Sequence, residues 1–221
     1  MKKYSTDKIR NLAFVGHSGS GKTSLTEAML YKTGAIKRLG KVEDGNTVSD
    51  FDKEEINRGV SIGLSVIPVE WQDSKINLID APGYFDFEGE VRGALRAAEA
   101  ALFVLDASSG IEVGAEKYWK YCEKIDLPRI IFANKIDKEN ANFVKLVADL
   151  HVEFGKKVTP LTLTLGEGPD FKGIIDVINK KAYEYDGFER KEVEIPEIRQ
   201  LEVEEVYNQL EEAVAMTDDN L

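Results

Sequence analysis

Residues 16 to 23 read Gly-His-Ser-Gly-Ser-Gly-Lys-Thr, and no other stretch limits the fold so narrowly. The pattern Gly-x-x-x-x-Gly-Lys-Ser/Thr has a physical role only where a strand hands over to a helix. Both flanks comply. A short apolar run ends at Gly16, and from Lys22 to Thr33 the apolar residues Leu25, Met29 and Leu30 recur at helical spacing. Gly16, Gly19 and Gly21 let successive backbone N–H groups turn inward onto a phosphate, and the helix adds its positive end. Lys22 is expected to neutralise the β- and γ-phosphates, and the Thr23 hydroxyl to ligate Mg²⁺. The nucleotide-contacting set predicted here is Gly16, His17, Ser18, Gly19, Ser20, Gly21, Lys22, Thr23 and Ser24. A glycine-rich turn with a surface lysine is the alternative. A chance match in a chain this long is expected roughly one time in a hundred, and the strand–loop–helix placement lowers that further.

Strand and helix signals alternate along most of the chain. Residues 60–71 and 75–80 flank a polar turn at Gln72, Asp73 and Ser74 and read as an antiparallel hairpin. Helices are expected from Glu90, from Gly114 and from Glu139, and strands at 101–107, 128–135 and 158–166. Such alternation predicts an α/β fold, a mostly parallel sheet flanked by helices, with ligands at the carboxyl ends of the strands. Beyond about residue 166 the pattern changes to a loop, a short strand pair and a turn. An amphipathic helix follows from Arg199 to Asp218, with Val203, Val206, Tyr207, Leu210 and Val214 on its apolar face. Packing on its own subdomain is the simplest use of that face.

Two further motifs fall at strand ends. Asp80 closes an apolar run and begins Asp-Ala-Pro-Gly, and its carboxylate is expected to reach Mg²⁺ through water. Gly83 is then expected to offer its backbone N–H to the γ-phosphate, a sensor of whether that phosphate is present. Asn134, Lys135 and Asp137 form the box Asn-Lys-Ile-Asp. The Asp137 carboxylate suits the ring N–H and exocyclic amine of guanine. Adenine offers neither donor there and would leave a desolvated carboxylate unpaired. Asn134 is expected to bond a neighbouring loop and the base, and the Lys135 stem to cover the base plane. Three motifs in this order predict a domain that binds GTP and GDP with Mg²⁺.

Composition removes other classes. Lys plus Arg number 29 against 40 Asp plus Glu, a net charge of −11, which disfavours direct binding of naked nucleic acid. The longest apolar run has the length of a buried strand, far short of a membrane span. Cys122 is the only cysteine, so no internal disulfide forms, and a packed free thiol in a reducing cytoplasmic compartment is expected.

The segment 45–62, with Arg58-Gly59 preceding the hydroxyl of Ser61, resembles the first switch of translational GTPases. The phosphate loop with histidine second, the stretch Asp80–Phe87 and the stretches 108–119 and 128–143 are all similar to elongation factor G. Residues 160–185 resemble the start of the extra subdomain that elongation factor G carries within its GTPase domain. The resemblance implies a cytoplasmic P-loop GTPase of protein synthesis that acts on the ribosome, its extra subdomain meeting the stalk protein. It places residues 1–165 in the GTP-binding core and 166–221 in part of the inserted subdomain, so the chain looks like an excised fragment. It also puts Ser61 where the family's switch threonine binds Mg²⁺, making Thr23, Ser61 and Asp80 the expected metal set. Serine keeps that oxygen but lacks the methyl that stiffens the rotamer.

Two departures bear on catalysis. Ser18 and Gly19 stand where the family has an apolar and then an acidic residue, and Tyr84 replaces the expected histidine. Catalysis is therefore expected of Lys22, Gly83 and, through positioning alone, Tyr84. A phenol with a pKa of ~10 does not deprotonate water at neutral pH, yet it accepts from water and donates to a phosphate. The competing reading makes Tyr84 an aromatic packed with Phe85 and Phe87. A slow GTPase accelerated by a partner is the expected function. The alternative is a GTP-dependent ribosome-binding regulatory or protection module with little turnover.

Overall fold

The computed structural model describes residues 2–216. They form two compact units, one comprising the residues up to Asp106 together with Ile111–Asn134, the other Ala107–Gly110 together with the residues from Lys135 onward.

In the first unit, β1 (Ile9–Val15), β2 (Ser65–Trp71), β3 (Ser74–Asp80), β4 (Ala100–Asp106) and β5 (Arg129–Asn134) form one sheet. Its order is β2-β3-β1-β4-β5. β1 pairs in parallel with β3 and β4, and β4 with β5, while β2 returns antiparallel on β3. The hairpin is the one the sequence predicts. Gln72 and Asp73 both take positive φ, 44° and 59°, as a tight two-residue turn requires. The helices are α1 (Lys22–Lys32), α2 (Lys53–Arg58), α3 (Glu88–Ala97) and α4 (Val113–Lys124). β4 is buried along nearly its whole length, as expected of a central parallel strand covered on both faces. Phe14, Leu78 and Val104 from adjacent strands pack with Leu30 of α1. Truncating Phe14 to alanine would cost about 3–5 kcal/mol and Leu78 about 2–5 kcal/mol, since no solvent reaches either. Cys122 is buried as expected, and burial pushes its thiol up to about 11, which keeps it inert.

The parallel register brings the ends of several strands to one edge of the sheet. Phe14 stands opposite Asp80, Val15 opposite Phe103 and Asp106 opposite Asn134. The phosphate loop, the Asp80 loop and Asn134 therefore all leave from the same side.

The second unit holds α5 (Phe143–Phe154), β6 (Thr162–Leu165), β7 (Gly173–Asp176), β8 (Lys181–Asp186), β9 (Glu189–Val193) and α6 (Glu197–Ala215). Its four strands run in sequence order and pair antiparallel throughout. Val203 of α6 joins Leu163, Ile175, Val177 and Ala182 in its core, with Val206 and Tyr207 alongside, so this part of the amphipathic face packs on its own unit, whereas Val214 is exposed. Residues 217 and 218, where the sequence pattern ends that helix, lie outside the described residues.

Two expectations need correction, and one element is not foreseen. The strand read at 158–166 does not extend the parallel set, because Leu163 and Leu165 pair with β7. Its hydrophobic side chains bury against Ile175 rather than under a covering helix of the first sheet. The strand read from Val60 begins only at Ser65, since 60–64 is held in a loop by side-chain acceptors. And α2 is an element that the periodicity does not announce. It is set by a capping box of Asp52 and Glu55 and ended by Gly59 at φ 64°.

Candidate nucleotide-binding site

The phosphate loop is built where no larger residue fits. A Cβ on Gly16 would stand 2.3 Å from the Val104 carbonyl oxygen, and one on Gly21 2.2 Å from Asn134 Nδ2. Gly21 also takes φ 97° as the residue that caps α1. Asn134 Nδ2 donates to the Ser20 carbonyl at 2.8 Å, so the predicted bond from Asn134 to a neighbouring loop is present. The Ser20 N–H donates to the His17 carbonyl at 3.3 Å and closes the turn. A Cβ on Gly19 would meet no atom within 4 Å, and Ser24 is exposed on the first turn of α1.

Lys22 is buried and spans this cradle, its Nζ donating to the carbonyls of Gly16 at 3.0 Å and His17 at 2.9 Å. Burial lowers its pKa to about 8, opposed by the nearby carboxylates of Asp80, Glu112 and Asp50. Gly83 lies directly over it. A Cβ there would stand 2.6 Å from Lys22 Nζ and 2.6 Å from the Ser18 nitrogen. The predicted γ-phosphate sensor thus touches the phosphate loop at Ser18.

Beneath the lysine, four oxygen-bearing side chains converge. Thr23 Oγ1 donates to Asp80 Oδ2 at 2.9 Å and lies 3.3 Å from Ser61 Oγ. Ser61 Oγ donates to Asp50 Oδ1 at 2.7 Å. The structure brings Thr23, Ser61 and Asp80 together and adds Asp50, buried at 6 % exposure, which the motif reading did not single out. Nothing local distinguishes Asp50 from Asp52 or Glu54 nearby; only tertiary packing buries it. Burial raises the Asp80 carboxyl to about 6, against the pull of Lys22 and of the Thr23 and Ser49 hydroxyls, the Ser49 hydroxyl being near without closing a hydrogen bond. Burial also raises Asp50, with Ser61 opposing. The residues fit a hard cation. All four offer oxygen, and Asp80 Oδ1 is buried with no hydrogen-bond partner. Mg²⁺ keeps several waters and needs few protein oxygens, so no denser carboxylate cluster is required.

Tyr84 is 45 % exposed and its neighbour Phe85 43 %. Phe85 makes a ring contact with the phosphate loop. That ring meets His17 edge-on at 6.4 Å and lies under the Lys117 ammonium at 5.7 Å. His17 supports the loop through its carbonyl, while its Nε2 lies 3.6 Å from Glu112 Oε1.

Lys135 and Asp137 belong to the second unit. Lys135 takes φ 58°, and its carbonyl accepts the Lys138 N–H at 3.2 Å, so the box forms a tight turn. Asp137 is exposed on that turn. His151 Nε2 bonds the Val158 carbonyl at 2.8 Å, a local tether near the end of α5. No described helix is long and apolar enough to cross a membrane.

A five-stranded, mostly parallel sheet, a Gly-Lys-Thr loop between β1 and α1, and an aspartate ending the adjacent strand define a P-loop GTPase fold. Residues 7–217 match the family model described as the elongation factor Tu GTP-binding domain, and the chain belongs to that family. It is 40% identical over 216 residues to elongation factor G of Mycoplasma genitalium, covering 96% of this chain and 31% of that protein. A crystal structure of a protein from Thermus thermophilus matches with TM-score 0.91 and 41% identity, over 96% of this chain and 32% of that one. The chain therefore spans about a third of the length of these relatives.

Proposed function

We propose that this domain binds GTP and GDP with Mg²⁺ and hydrolyses GTP, as the switch of an elongation factor G-like protein working on the ribosome in the cytoplasm. The observation that carries the reading is the junction of Thr23, Ser61, Asp80 and Asp50 beneath the buried Lys22.

In this reading the backbone N–H groups of residues 16–24 wrap the phosphates, and Lys22 exchanges its two carbonyl acceptors for β- and γ-phosphate oxygens. Asn134, Lys135 and Asp137 read guanine. Thr23, Ser61 and Asp80 would hold Mg²⁺, and the cation would neutralise charge developing on the phosphates. Gly83 offers its N–H to the γ-phosphate. The Tyr84 hydroxyl orients the attacking water without acting as a strong base, which suits a reaction governed by positioning and electrostatics. Hydrolysis is slow alone and quickens when a partner orders the switch. Residues 166–221 are assigned to part of the inserted subdomain, whose partner is the ribosomal stalk.

Equilibrium binding of GTP, GDP and ATP with Mg²⁺, followed by phosphate release with and without ribosomes, tests the proposal. Guanine-selective binding with ribosome-stimulated release is expected. Competition by ATP at equal concentration would overturn the base assignment. Tight binding without stimulated release would point instead to the regulatory or protection module.

A further inference from the structure

Glu27 lies on α1, four residues after Thr23, and is only 1 % exposed. None of the roles above uses it. Its Oε2 accepts the Gly40 N–H at 3.0 Å and its Oε1 accepts the Val48 N–H at 2.5 Å. Those two amides sit at opposite ends of the loop 40–48, so one carboxylate ties both ends to the helix. The fit at position 40 is close. A Cβ on Gly40 would stand 2.5 Å from Glu27 Oε2 and 2.7 Å from the Asn46 carbonyl oxygen.

Val48 leads straight into Ser49 and Asp50. The Ser49 carbonyl accepts from Ser65 Oγ at 2.7 Å, and Asp50 accepts from Ser61 Oγ at 2.7 Å. Ser61 in turn lies 3.3 Å from Thr23 Oγ1. The path is continuous. It begins on the helix that carries Lys22 and Thr23, passes through Glu27 to the Val48 amide, and returns through Asp50 and Ser61 to Thr23. Charge-assisted bonds from two amide N–H groups to one carboxylate are stronger than neutral ones and admit no substitute of the same shape. Glutamine keeps one acceptor and turns an NH₂ group toward the other N–H.

We propose that Glu27 is a positioning residue that holds the first switch segment on α1, so that Asp50 and Ser61 stand against Thr23 and nucleotide is retained at low Mg²⁺. The part concerning Mg²⁺ rests on the functional reading above. A purely structural Glu27 would instead weaken the whole domain without selectivity.

Two variants test this in the chain as it stands. Glu27→Gln removes one acceptor, and Gly40→Ala displaces the loop while leaving the carboxylate in place. In each, tryptic cleavage after the exposed Arg38 and Lys41 is expected to speed up about tenfold without nucleotide, the thermal midpoint staying within a few degrees. The Mg²⁺ concentration for half-maximal tightening of a non-hydrolysable GTP analogue should rise about tenfold, while affinity in EDTA changes less than about twofold. The double variant should be no worse than either single one, because both break the same tie. Unchanged cleavage in both variants overturns the anchoring, and equal losses of affinity with and without Mg²⁺ overturn the cation-specific role. Failure of the unaltered chain to bind guanine nucleotides would count against the functional reading, and the cleavage result would still decide the anchor.

Discussion

The Thr23 hydroxyl donates to a carboxylate oxygen of Asp80 at 2.9 Å, joining the first turn of α1 to the end of β3. The other Asp80 oxygen is buried with no hydrogen-bond partner. A carboxylate placed this way costs stability while the site is empty. Under the proposed function a bound cation would satisfy it, and the residue would contribute affinity.

Asp80→Asn separates these two effects. The Asp80 carboxyl is raised from 3.8 to about 6, chiefly by burial. An acid whose native pKa exceeds its unfolded one keeps its proton longer in the native state. Its effect on stability therefore turns unfavourable as pH rises from about 4 to 6, and the full penalty holds above that window. That penalty is on the order of 2–3 kcal/mol. In EDTA near neutral pH, Asp80→Asn should unfold about 5 °C higher than the unaltered protein, and the gap should close at about pH 4. The same variant should lose most of the Mg²⁺-dependent gain in nucleotide affinity. Thermal melts across pH and nucleotide titrations with and without Mg²⁺ check both arms.

Lys22 leads to a prediction about protons. Its ammonium is buried among carbonyls and lowered to about 8. Arriving phosphates favour the charged form. Above about pH 8 the empty site holds a mostly neutral amine, so binding GTP should take up a proton. Uptake should approach one proton at about pH 9 and vanish near pH 7. Titration calorimetry in buffers of different ionisation enthalpy reads this directly. No uptake at the higher pH would mean that Lys22 is charged before nucleotide arrives.

Gly83 tests whether the loop after Asp80 reads the γ-phosphate. A Cβ at this position would stand 2.6 Å from the Ser18 nitrogen, which is backbone and cannot swing aside as a side chain can. Gly83→Ala should push the loop off the phosphate loop and withdraw its N–H. GTP affinity should fall about tenfold, as for one lost hydrogen bond to a charged group, while GDP affinity stays within about twofold. Competition of both nucleotides against a fluorescent GDP analogue measures the ratio. Equal losses for GTP and GDP would assign Gly83 to loop structure alone.

These residues differ in how far a linear reading reaches them. Lys22, Thr23, Asp80 and Asn134 follow from local chemistry, because a glycine loop, a strand end and a helix start leave few other uses for them. Ser61 emerges only through its resemblance to a switch. Asp50 and Glu27 stay hidden, since a lone acid in an acidic chain reads as solvated surface, and only folding shows it buried at 6 % or 1 % exposure. The helix α2 is legible once its ends are considered. Asp52, Glu55 and Gly59 spell a capping box and a left-handed stop, but the segment is too short to show periodicity. The pairing of Leu163 and Leu165 with β7 is not legible, because an apolar run carries no record of which sheet it joins.

Under the proposed function, Tyr84 would bear on the reaction itself. Being 45 % exposed at the end of the Gly83 loop, its ring contributes little packing, so substitutions there should leave folding and GTP affinity nearly unchanged. The phenol is asked only to hold water in line, a positioning role that needs no strong base. Tyr84→Phe removes that hydroxyl and nothing else, and should slow single-turnover hydrolysis about tenfold at unchanged GTP affinity. Tyr84→His restores a side chain with a nitrogen acceptor that titrates near neutrality, and should raise the rate above that of the unaltered protein. Rapid-quench measurement of phosphate formation from a saturated complex separates the chemical step from binding. If Tyr84→Phe matches the unaltered rate, the hydroxyl does no positioning, and hydrolysis depends on Lys22, Gly83 and Mg²⁺ alone.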